Sequence, residues 1–113
     1  METFEKLEVW QRSKKLAVGL CRALRSCRDY GLREQAQRAA VSISSNIAEG
    51  MERNTKPEYR NFLGIAKGSA GELRTQLMIL AELGYLDSDV FQEMHQEAQR
   101  ISRMLHGLIR AMQ

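Results

Sequence analysis

The side chains that could do covalent or acid-base chemistry are few: Ser42, Ser44 and Ser45 in the string RAAVSISSNIAEG, two histidines, His95 and His106, and two cysteines, Cys21 and Cys27. A hydrolase needs its serine beside a base held in hydrogen-bond reach. No histidine lies near Ser42 or Ser45 in the chain, so such a pair could form only across the fold, and small packing serines are the stronger reading. His95 and His106 are eleven positions apart. On one helix that is a shared face but a separation of about 16 Å, too far to chelate one metal. Cys21 and Cys27 point to different sides of one helix and suit neither a disulfide framework nor a metal pair, and no Glu-x-x-His of the di-iron bundle type occurs. GIAKGSAG has the composition of a phosphate loop but lacks the preceding strand and the GK[ST] ending. The chain is expected to be non-enzymatic and to hold no metal or cofactor.

Charge offers a different chemistry. The net charge is +3, and the first 29 residues carry seven Lys and Arg against four Asp and Glu, while the remainder is near balance. Arg12, Lys15 and Arg22 fall on one side of a helix with Gly19 between them, and Lys14, Arg25 and Arg28 lie close by. Such a row could contact phosphates, most effectively if copies of the chain multiply it. No aromatic platform accompanies it, so base-specific reading is not expected. The competing reading is a protein-interaction scaffold whose basic face is merely solvated.

These residues need elements to hold them. Of 113 residues, 43% are hydrophobic and one is proline, which suits a single ordered domain over 1–113. Apolar residues recur at spacings of three and four in four segments, predicting helices over about 4–28, 32–50, 56–83 and 88–112. Trp10, Ser13, Ala17, Leu20, Cys21, Leu24 and Cys27 mark the first core stripe, with Gly31 as its break. Leu32, Ala36, Ala39, Ala40, Ile43 and Ile47 mark the second, which Gly50 is placed to end. Thr55 with Glu58 forms a capping box for the third, and Gly84 closes it. No stretch alternates with period two. The expected fold is all-α, an antiparallel up-down-up-down four-helix bundle. The charged start METFEKLEVW and the absence of a long apolar run favour a cytoplasmic location.

Ten uncharged residues run from Ala39 to Ala48, so the second helix shows no charge on either side there. That pattern predicts burial on both faces, hence self-association. Gly64, Gly68 and Gly71 in the third helix suggest close approach between helices. Ile65, Ile79 and Leu83, with Glu72 among them, lie off the main stripe and are candidate interface residues. With the second and third helices antiparallel, the expected pairs are Arg38 with Glu72, and Glu49 or Asn46 with Arg60.

A resemblance adds to this reading. Phe4-x-x-Leu7-x-Val9-Trp10-Gln11, then Gln35-x-x-Arg38-Ala39-Ala40-x-Ser42-Ile43-x-x-Asn46-Ile47-Ala48-Glu49-Gly50, Phe62-Leu63-x-Ile65-Ala66-x-Gly68-Ser69-x-x-Glu72-Leu73 and Leu83-Gly84-Tyr85-Leu86 run through nearly the whole chain. These strings resemble the bacterial four-helix-bundle family encoded in intervening sequences of large-subunit ribosomal RNA genes. They are similar, more distantly, to the accessory variability proteins of diversity-generating retroelements. The resemblance implies a homopentameric barrel of four-helix bundles with a basic surface and no catalysis. In the accessory branch it implies association with a reverse transcriptase and with RNA or DNA. It also implies that Arg38, Asn46, Glu49 and Glu72 organise packing.

Overall fold

The computed structural model describes residues 3–113. A 3-10 turn at Phe4–Lys6 precedes α1 (Glu8–Ala23), α2 (Tyr30–Met51), α3 (Lys56–Glu82) and α4 (Ser88–Ala111), and no strand occurs among the described residues. Each helix packs on the next and α1 closes against α4, giving the up-down-up-down bundle that the periodicity predicts. The bundle measures 43 × 20 × 20 Å. Its length is that of α3, whose 27 residues span about 40 Å.

Leu20, Leu24, Ile43, Ile47, Leu63, Leu73, Leu77, Leu80, Ile101 and Leu105 are fully buried along the axis. Each such side chain contributes about 1.5–3 kcal/mol of burial free energy before entropy is charged against it. The α2 stripe from Ala36 to Ile47 is buried as its spacing predicts. On α1 the buried set is Val9, Ser13, Leu16, Ala17 and Leu20, while Trp10 and Cys21 sit half-buried at the margins. The stripe is thus rotated from the expected one, with Trp10 packed at the core margin and Phe4 beside it, ring centroids 5.1 Å apart.

The first helix is shorter than 4–28. Leu7 is extended at φ −78° and ψ 122°, separating the 3-10 turn from α1, and the Gln11 side chain ties the turn back by donating to the Glu5 carbonyl at 2.8 Å. At the other end α1 stops at Ala23, and a tight turn carries Leu24 and Cys27 into the core. Gly31 does not make the break. Asp29 caps α2 by accepting from the Leu32 amide at 3.1 Å, and Gly31 lies inside the first helical turn.

Gly50 is likewise not a terminator, since α2 continues through Met51 and Gly84 is the only described residue with positive φ. A Cβ at Gly50 would lie 2.8 Å from Phe62 Cβ and 3.0 Å from the Tyr59 ring, so glycine is what lets α2 and α3 close at this end. Thr55 caps α3 as expected. Its hydroxyl accepts from the Glu58 amide at 3.3 Å and donates to the Glu58 carboxylate at 2.9 Å. Past Leu83, Gly84 at φ 83° lets the Tyr85 amide reach the Leu80 carbonyl at 2.9 Å and its own amide reach Ala81 at 3.0 Å, a Schellman ending.

Candidate nucleic-acid interface

The six candidate basic residues of the first segment do not form one patch. Arg12 is held by Glu8 of its own helix at 2.8 Å and reaches across to Glu97 of α4 at 3.0 Å. The Glu8 hydrogen bond, followed by the field of Glu97, pushes its pKa above the ordinary guanidinium value. Lys14 lies over the Trp10 ring, 5.2 Å from its centroid. Arg22 and Arg25 flank Val18 and Val41 in a shallow depression between α1 and α2, and Arg28 is exposed beyond the end of α1. Lys15 alone enters the groove between α1 and α4.

That groove encloses about 630 Å³. Leu16, Gly19 and Met94 form its apolar floor, Lys15, Arg100 and Arg103 its cationic rim, and Glu93 and Glu97 its acidic one. Glu97 is already satisfied by Arg12, which ties α1 to α4 across the groove. A cation set on two helices around an apolar trough can hold a phosphate chain without reading bases. Arg100 and Arg103 were not singled out by sequence reasoning because the last segment carries more acid than base overall. The usable signal was angular: Arg100 lies seven positions after Glu93 and so on nearly the same side of α4, which brings it to the α1 groove with Arg103 beside it.

The expected polar pairs between α2 and α3 do not form within the chain. Their register is as predicted, with the Ser42 and Ser69 hydroxyls 2.9 Å apart, which puts Arg38 level with Glu72. Yet Arg38 pairs with Glu34 at 2.9 Å, and Glu72 accepts from Gln76 at 3.3 Å. Glu49 pairs with Arg53 at 3.0 Å, and Asn46 donates to the Ser42 carbonyl and hydroxyl at 2.8 and 2.9 Å. Arg60 faces α4 instead, donating to the Met112 carbonyl at 3.1 Å. A partner four residues away on the same helix is reached without bridging the groove, and local pairs win for that reason.

The interior glycines also differ from expectation. A Cβ at Gly64, Gly68 or Gly71 would meet nothing within 4 Å, so no helix of this chain approaches them. The outer face of α2 is open in the single chain, with Val41 and Ser45 exposed, as are Ile65, Ile79 and Leu83 on α3. Ser42 bonds Ser69 and Ser44 donates to Val41, while His95 stacks near Phe91 and His106 lies 3.1 Å from the Lys67 ammonium. The described residues bring no three His, Cys, Asp or Glu side chains together as a metal cluster, and no helix among them is long and apolar enough to cross a membrane.

A family model described as 23S rRNA-intervening sequence protein matches residues 5–107. A crystal structure of a protein of unknown function from the S23 ribosomal protein family of Bacteroides thetaiotaomicron aligns with a TM-score of 0.84 at 23% identity. The match covers 89% of this chain and 97% of that one, and it shows a shared fold. No curated protein matches the chain.

Proposed function

The chain belongs to the 23S rRNA-intervening sequence protein family, and from that premise we propose a non-catalytic accessory protein that self-associates and holds RNA by its phosphates along the α1–α4 edge. The observation that carries the reading is the convergence of Lys15, Arg100 and Arg103 on one groove. Their charges are presented by two helices that pack on one core and are bridged by the Arg12 to Glu97 ion pair. Phosphate contacts of this kind give affinity without sequence preference. RNA and DNA share this phosphate chemistry, and RNA is the form put to the test below.

Self-association is supported by exposed apolar residues on the outer flank of α3, where Ile65, Ile79 and Leu83 are 45, 41 and 59% exposed. A ring of copies would repeat the basic edge and sum its field. The number five, a reverse-transcriptase partner and a place in a diversity-generating retroelement rest on the motif resemblance. Co-purification with a reverse transcriptase encoded beside the gene tests that finer role.

The RNA reading is tested by affinity for a short RNA as salt is raised. Binding should fall steeply between 50 and 200 mM salt, and Lys15→Ala with Arg100→Ala should flatten that dependence. Absence of binding at the lowest salt would sink it. The protein scaffold would then stand, a reading favoured by Glu93 and Glu97 on the same groove.

A further inference from the structure

Three of the four helices carry the same spacing of residues: a cation, a glycine four positions on, and a second cation three positions beyond. It occurs as Lys15, Gly19 and Arg22 on α1 and as Arg103, Gly107 and Arg110 on α4. On α3 it runs twice in succession, through Arg60, Gly64, Lys67, Gly71 and Arg74. Seven residues are nearly two helical turns, so the α3 cations return to one side about 10.5 Å apart, with a drift of about 20° per repeat.

Contacts across the seam show which side this is. Lys67 Nζ lies 3.1 Å from His106 Nδ1, and Arg60 donates to the Met112 carbonyl at 3.1 Å, so the row faces α4. Arg103 and Arg110 flank His106 on that helix at three and four positions. None of the five cations of these two rows makes an ion pair among the described residues. Glu72 bonds Gln76 on another flank of α3, and Glu93 and Glu97 line the α1 groove, whose rim Arg103 shares, so Lys67, Arg74 and Arg110 are the cations of the seam set apart from these three carboxylates.

The glycines are the second observation. Inside a helix each is less favourable than alanine. A Cβ at Gly64, Gly71 or Gly107 would meet nothing within 4 Å, and none has positive φ, so neither packing nor backbone geometry within the chain requires glycine there. What glycine supplies is bare helix beside the charges. We infer that the α3–α4 seam is a second phosphate track, where an RNA sugar-phosphate backbone lies against the glycine notches and Lys67, Arg74 and Arg110 hold its phosphates. The track rests on the RNA-binding reading but not on the α1–α4 groove.

The test uses the full chain, one short RNA and three measurements: affinity against salt, melting temperature and mass by light scattering. Lys67→Ala with Arg74→Ala should lower the slope of log affinity against log salt by about one and a half. Gly64→Ala with Gly71→Ala should raise the melting temperature, leave the mass unchanged and still weaken RNA binding several-fold. A merely structural role does not pair those opposite signs. If only Lys15→Ala with Arg100→Ala lowers the slope, the track is overturned and RNA binding at the groove stands. If the glycine variant changes mass and not affinity, those glycines serve an interface between copies and the track is again overturned. No RNA binding by the unaltered protein at low salt overturns both readings.

Discussion

One added methyl group should have opposite effects at two helical glycines. At Gly50 it would enter the space of Phe62 and Tyr59, with the nearest atom at 2.8 Å. Overpacking of that kind costs about 1–3 kcal/mol, more than the gain in helix propensity. Gly50→Ala should therefore lower the urea midpoint, while Gly64→Ala, in open space, should raise it by up to about 1 kcal/mol of stability. Tyr59, at the same contact, has its pKa raised by burial. A phenol that keeps its proton longer when folded adds stability below its unfolded value of about 10, and that increment is lost as pH rises through the folded value. Unfolding measured from pH 8 to 11.5 should show declining stability in the alkaline arm, and Tyr59→Phe should make that arm shallower. An unchanged arm would separate Tyr59 from it.

Element ends were legible where a local residue decides them. Thr55 and Gly84 satisfy amide and carbonyl groups within a few residues of themselves, so their types at those positions were enough. The limits of α1 were not legible, because Leu7 and Leu24 leave the helix to meet a core supplied by other elements. The same distinction divides the candidate site. Arg12 and Lys15 could be read from their own helix, whereas the carboxylate that occupies Arg12 comes from α4, and Arg100 and Arg103 reach the groove only once α1 and α4 are adjacent. Glu97 tests this geometry. The Arg12 and Glu97 side chains are 29 and 28% exposed, and loss of a pair so open to solvent should cost the fold little. Glu97→Gln removes an acid from the groove and frees Arg12 in part. RNA affinity should rise and its salt slope steepen by up to about one. Weaker binding with folding intact would place the RNA elsewhere.

For the whole molecule, one chain provides a core for one face of each helix and leaves the outer flank of α2 and α3 unpartnered. Arg38 and Glu72 share a level there yet pair within their own helices, and the buried Gln76 Oε1 has no hydrogen-bond partner among the described residues. Ile65, Ile79 and Leu83 add apolar area on the same flank of α3. A second copy on this face would cover that area and give Arg38 and Glu72 opposite charges to meet. Ile79→Asp places an uncompensated charge on the face while leaving the monomer core untouched, so it should reduce the mass to that of one chain with helix content retained. Glu72→Ala should loosen assembly less severely, because the pair it removes fixes register more than it stabilises. The proposed function makes a linked demand. A monomer keeps every cation but loses the repeated edge, so Ile79→Asp should also weaken RNA binding by ten-fold or more through lost multivalency. A monomer that binds RNA as tightly as the assembly would show that each chain is a complete binding unit and that self-association serves another purpose.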